Sequence, residues 1–215
     1  MVFTEFMELI QTRRSIRDFT EESVSIKDIE EIIDCARFAP SDTNSQTWEF
    51  IAVVNREKIK QIEDFTWEQL HLRAAEAEEK GLAREAKLLV RSFGPYATAF
   101  SGAPVLIVCL STPYASKFRE RIFDPLEFGG PEIWDEEGLK SSSLASQNLM
   151  LAAHAKGLAT CPMTGPVLLA EEKLREFLDI PEDRLVNMVI ALGHPAISPK
   201  ATPRKEVAEI LRIVE

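Results

Sequence analysis

The chain has 215 residues, 45% of them apolar, and a net charge of −10. That length and apolar content suit one domain with a proper core, or one domain with an insertion. The acidic balance argues against nucleic acid or an anionic membrane surface as the main partner, no apolar run nears the ~20 residues of a membrane span, and the three scattered cysteines, Cys35, Cys109 and Cys161, form neither a disulfide nor a metal pattern.

The first ten residues carry Glu5 and Glu8 and no long apolar stretch, so no secretory signal is expected and a soluble cytoplasmic location is the default. Phe3, Phe6, Met7 and Ile10 recur at helical spacing, with Thr4 as the expected N-cap. The helix delivers the chain to Arg13-Arg14-Ser15-Ile16-Arg17-Asp18-Phe19. Arginine is always charged, and its planar fork matches phosphate or carboxylate. In an extended backbone Arg13, Ser15 and Arg17 point to one side, a basic, hydroxyl-bearing face suited to a phosphate-bearing ligand. A solvated ion-pair surface fits the same pattern.

Ser25 caps a second helix, with Asp28 in the capping-box position and Ile26, Ile29, Ile32, Ile33 and Ala36 on its buried face. The helix must stop before Pro40. Ala39-Pro40-Ser41-Asp42-Thr43-Asn44-Ser45-Gln46-Thr47-Trp48 then reads as a polar turn into a strand over 48–54, with Trp48 in the core. Ser41, Asn44 and Gln46 offer donors and acceptors, although taken alone the stretch reads first as a plain helix-to-strand loop. Helices are expected over 57–62 and 66–92, the second broken at Gly81; His71 is surface or core trim.

Residues 104–110 are a strand buried on both faces. The stretch 112–138, with Phe118, Phe123, Phe128 and Trp134 among prolines, glycines and charges, is either a lid or a disordered segment, and its aromatics favour the lid. Ser141-Ser142-Ser143 open a helix over 144–156, apolar nearly all round and therefore buried, with His154 as a satisfied core histidine. Gly157 ends it. A short strand from Leu158 enters a tight turn at Pro162-Met163-Thr164-Gly165. A brief helix follows over 171–178, then an apolar strand over 185–192. Arg204 and Lys205 precede an amphipathic end. No glycine-rich dinucleotide or phosphate loop and no metal-ligand spacing is present.

Taken together these stretches resemble the nitroreductase family of FMN-dependent oxidoreductases. The arginine run resembles its first motif, and residues 39–48 its second, with Thr47 in place of the usual proline. Gln147-Asn148-Leu149 to Gly157-Leu158 resembles its central helix, although Ser141 to Ser143 replace an acidic residue there. Leu192-Gly193-His194-Pro195 with Pro203-Arg204-Lys205 resembles its C-terminal signature. The resemblance implies an α+β fold with a central, mostly antiparallel sheet flanked by helices. It implies a homodimer, each chain being a single FMN-binding domain over 1–215 with a variable helical and lid region at about 65–140. By the same resemblance Arg13, Arg14, Ser15 and Arg17 hold the phosphate, ribityl chain and pyrimidine edge of FMN, and Arg204 with Lys205 reaches the phosphate. Pro40, Ser41, Asn44 and Gln46 approach from the other subunit, and Pro162, Met163, Thr164 and Gly165 pack along the ring. Phe123, Phe128 and Trp134 cover the substrate. The implied chemistry is hydride transfer from NAD(P)H through FMN to nitroaromatic, quinone or related acceptors, with the cofactor and no protein nucleophile carrying the redox step. A specialised flavin enzyme, such as a reductive dehalogenase or a flavin-consuming enzyme, and a non-catalytic FMN-binding dimer are the alternatives.

Overall fold

The computed structural model describes residues 2–215. Four strands, β1 (Trp48–Val53), β2 (Val105–Ser111), β3 (Ala159–Met163) and β4 (Leu185–Gly193), form one sheet in the order β1-β2-β4-β3. Every pairing is antiparallel. Among the described residues the helices are α1 (Phe3–Thr12), α2 (Ile26–Ala36), α3 (Arg56–Glu79), α4 (Ala83–Leu88), α5 (Gly94–Ala97), α6 (Pro131–Ala155), α7 (Gly165–Phe177) and α8 (Val207–Ile210).

β2 alternates its side chains between two cores, which is why its sequence is apolar without a break. Leu106, Val108 and Leu110 pack with Ile59 and Ile62 of α3 and Leu174 of α7. Val105, Ile107 and Cys109 pack with Ile29 and Ile32 of α2 and Leu149 and Ala153 of α6. The sheet is therefore the middle layer, with helices on both faces. Full burial pushes the Cys109 thiol up to about 12, so it stays protonated.

Several local expectations are corrected. Thr4 lies inside α1, and Val2 is its N-cap. Ser25 does cap α2, accepting from the Asp28 backbone N–H, but Ile26 is exposed. Trp48 is only half-buried. Residues 57–62 and the start of 66–92 are one continuous helix, α3, because Thr66 returns its hydroxyl to the Ile62 carbonyl at 2.6 Å instead of breaking the turn. α6 begins at Pro131, which suits a first helical position where no N–H bond is lost, so the irregular stretch is shorter than predicted. Ser141 to Ser143 lie mid-helix; Ser141 and Ser143 bond back to the Glu137 and Leu139 carbonyls. Nor is α6 buried all round, since Leu144 and Gln147 are exposed. Pro162 and Met163 are in β3, and α7 starts at Gly165, six residues earlier than expected, with a kink at Ala170.

Among the described residues no helix is long and apolar enough to cross a membrane, and no cluster of His, Cys, Asp and Glu is placed to hold a metal ion.

Candidate functional site

The arginine run is extended and lies along the free edge of β3. Ser15 bridges Thr160 in parallel, and the Ile16 N–H donates to the Thr160 carbonyl at 3.0 Å. Further on, Ala196 N–H donates to the Asp18 carbonyl and Thr20 N–H to the His194 carbonyl, both at 2.9 Å. These bonds fix the backbone between two arginines whose side chains remain available.

Arg13 and Arg14 differ in what they do. Arg14 Nη1 donates to the carbonyls of Gln11 (2.5 Å) and Arg13 (2.7 Å), and so closes the C-terminal end of α1. Arg13 Nη1 and Arg14 Nε are buried without a hydrogen-bond partner. Burying a charged donor unpaired is costly, so these atoms fit an anion that the protein itself does not supply. The Arg13 guanidinium is held below its ordinary value first by burial, then by the like charges of Arg14 and Arg204. Arg204 therefore reaches the same neighbourhood from the C-terminal tail, although its Nη1 also bonds Thr202 Oγ1 at 2.6 Å. Lys205 beside it is exposed.

Cys161 of β3 lies within the field of both Arg13 and Arg17, which oppose the upward push of burial on its thiol. Arg13 and Arg17 thus flank one stretch of β3, the stretch that continues into Pro162, Met163, Thr164 and Gly165. Arg17 is exposed, and its guanidinium carbon lies over the Tyr96 ring, 5.4 Å from its centroid. The two line a cleft of about 820 Å³ with Asp18, Phe19 and Pro95.

A second groove, of about 370 Å³, runs between Arg13, Arg14, Thr160 and His154. His154 Nε2 is 2.9 Å from Thr12 Oγ1. The Thr12 hydroxyl proton is directed at the Glu8 carbonyl (2.7 Å), so the imidazole is the donor. Burial first, then Arg13 and Arg14, lowers the His154 pKa. His154 is therefore no core histidine. It is half-buried at the rim of the arginine groove.

Ser41, Asn44 and Gln46 lie elsewhere. They precede β1, at the opposite edge of the sheet from β3, and three strand spacings separate the edges by about 14 Å. In this loop Thr43, Asn44 and Gln46 all have left-handed backbones (φ 46°, 57° and 49°), and the Gln46 N–H donates to Ser41 Oγ at 3.0 Å. Pro40 at its start is exposed. Thr47 at its end is buried and donates to the Gly138 carbonyl at 3.2 Å, tying the loop to α6. Phe123, Phe128 and Trp134 belong with this loop and not with the arginines. Trp134 is buried, stacks on Phe123 at 5.7 Å and packs on Tyr114, whose hydroxyl is 3.1 Å from Thr43 Oγ1; Phe128 is exposed.

Sequence reasoning missed Tyr96, and misjudged His154. Gly94-Pro95 before Tyr96 was a legible break after the charged helix. A histidine one turn from a helix end was the other signal.

Comparison with known proteins gives the class, a flavin-dependent oxidoreductase. The model of the family described as "Nitroreductase family" matches residues 10–194. The chain belongs to the nitroreductase family of FMN-dependent NAD(P)H oxidoreductases. It is 31% identical to a Methanothermobacter thermautotrophicus protein named "Putative NADH dehydrogenase/NAD(P)H nitroreductase", over 91% of this chain and 80% of that one. It is 28% identical to the "Nitrobenzene nitroreductase" of Ectopseudomonas oleovorans, over 86% and 85%. The fold is also that of a BluB-like flavoprotein from Clostridium difficile 630, with a TM-score of 0.84 at 24% identity, covering 98% of this chain and 99% of that one.

Proposed function

We propose that the chain, as one domain, binds FMN between two copies of itself and works as an NAD(P)H oxidoreductase on nitroaromatic, quinone or related acceptors. The observation that carries this reading is the pair of buried, unpartnered guanidinium nitrogens on Arg13 and Arg14, with Arg204 converging on Arg13. Such a cradle fits an anion, and a phosphate group is one that an arginine fork matches. Arg13, with Arg204 and Lys205, takes the phosphate; Ser15 takes the ribityl chain. Arg17 takes the pyrimidine edge, and Pro162, Met163, Thr164 and Gly165 lie along the ring. When bound, FMN supplies acceptance of hydride from NAD(P)H and its delivery to the acceptor, in two half-reactions at one slot. Arg17 contributes fixed positive charge where the reduced ring carries negative charge.

The second copy supplies Pro40, Ser41, Asn44 and Gln46, and over them Phe123, Phe128 and Trp134. Two features support a shared site. The halves sit at opposite sheet edges of one protomer, and the protomer leaves apolar side chains uncovered: Phe3, Phe6 and Ile10 on α1, Leu144 on α6, and Val207, Ile210, Leu211 and Val214 in the tail. The similarity to a protein named nitrobenzene nitroreductase supports the acceptor class.

A visible absorption spectrum of the purified protein, before and after NADH, tests the reading. A flavin band that bleaches on NADH and returns on adding a quinone or nitroarene is expected. Protein that takes up no FMN and oxidises neither NADH nor NADPH refutes it.

A further inference from the structure

Tyr96 follows the Gly94-Pro95 break after the charged helices, and its position is tightly set. α5 is clamped from two sides. A Cβ on Gly94 would fall 2.4 Å from the Trp67 ring, and a Cβ on Gly165 would fall 2.7 Å from the Ala97 Cα. Glycine is thus required at both contacts, one on α3 and one at the start of α7. The Thr98 hydroxyl closes the turn by donating to the Gly94 carbonyl at 3.0 Å. This rigid turn nonetheless leaves the Tyr96 side chain 63% exposed, in the cleft that it shares with Arg17. Burying the ring is therefore not what holds it there.

Arg17 supplies the reason. Among the described residues it has no carboxylate at ion-pair distance, and its guanidinium lies over the Tyr96 ring at 5.4 Å. A guanidinium stacked by its face keeps its N–H donors free in its own plane. We propose that Tyr96 is a positioning residue for Arg17: its ring holds the guanidinium face so that the in-plane donors meet the flavin's pyrimidine edge. This rests on the FMN reading above. Without the ring, Arg17 gains freedom to turn into solvent or toward Asp18, and its charge is no longer fixed beside the site. Because that charge stabilises the reduced flavin more than the oxidised one, the loss appears as a lower reduction potential and not merely as weaker binding.

The test compares wild type, Tyr96→Ala, Tyr96→Phe and Tyr96→Ala in an Arg17→Gln background. The midpoint potential is read by dye-coupled titration of the FMN-loaded proteins. Tyr96→Ala is expected to lose about tenfold in preference for reduced over oxidised FMN, a fall of about 30 mV for a two-electron couple. Tyr96→Phe should match wild type, and in the Arg17→Gln background Tyr96→Ala should shift nothing further. In the flavin-free protein the Arg17 Nε–H resonance, assigned by its loss in Arg17→Gln, should carry a ring-current shift that Tyr96→Ala abolishes and Tyr96→Phe keeps. Unchanged potential in Tyr96→Ala, or a Tyr96→Phe that behaves like Tyr96→Ala, overturns the proposal while leaving the flavin site standing. A wild type that takes up no FMN overturns both.

Discussion

His154 Nε2 donates to Thr12 Oγ1 across 2.9 Å, joining the last turn of α6 to the final residue of α1, next to Arg13. The imidazole is held below its ordinary pKa by burial and by Arg13 and Arg14. A base whose folded pKa lies below its unfolded value takes up protons more readily when the chain unfolds, so stability falls as pH drops through the unfolded value near 6.5. Urea unfolding of the flavin-free protein should show this loss as pH drops through about 6.5, and His154→Gln should flatten it. Added FMN should lessen it, because an anion between the arginines offsets their push on the ring and leaves the larger part that burial causes. Identical pH slopes in wild type and His154→Gln would remove the imidazole from the account.

The two neighbouring arginines should part company on substitution. Arg13→Ala removes an unpartnered donor and is expected to weaken FMN binding by about 1.5–3 kcal/mol, tenfold or more, with little effect on melting of the flavin-free protein. Arg14→Ala removes the other unpartnered donor and also the bonds that close α1, so it should weaken FMN binding and in addition lower the stability of the flavin-free protein by about 1 kcal/mol. Flavin-release titrations and thermal melts separate the two. An Arg13→Ala protein that stays fully loaded on dilution would count against the phosphate cradle.

The loop before β1 should trade stability against flavin. Gln46 holds φ at 49°, a backbone that glycine adopts without steric cost. Gln46→Gly is expected to raise the stability of the flavin-free protein by up to about 1 kcal/mol, while FMN affinity falls because the carboxamide is gone. Denaturant midpoints and flavin titration check the opposite signs; a variant that is both less stable and equally tight would contradict this reading.

Subunit mixing tests whether the site is shared. Arg17→Ala and Asn44→Ala should each retain less FMN than wild type. After unfolding and refolding together, half the dimers are mixed and each has one intact site, so about one quarter of wild-type sites should return. No gain over the parents would place both residues in one protomer's site or in none.

What the sequence disclosed, and what it hid, follows from how local each cause is. The Ser25 cap and the apolar run of β2 are short-range patterns, and both appear as expected; the extended backbone at Ser15 does too, in its bridge to Thr160. The beginning of α6 was hidden because Ser141 to Ser143 look like a helix start. Instead Ser142 meets the Leu110 carbonyl at 3.0 Å, and Asn187 donates to both Ser142 and Ser143 at 3.2 Å. Those partners are about 30 and 45 residues away in the chain, and no local rule carries that information. The Arg17–Tyr96 contact was hidden for the same reason. Nor does periodicity tell how much of an apolar stripe the fold covers, which is why Leu144 read as interior and is exposed.

The strand order β1-β2-β4-β3 puts the arginine edge and the Ser41–Gln46 loop on opposite flanks of the sheet. Under a shared site, colour becomes a gauge of assembly. A lesion in the α1 contact face, remote from any flavin atom, would yield pale protein and be mistaken for a cofactor mutant. Conversely, the yellow of a preparation would count associated chains, and fading on dilution would report the monomer.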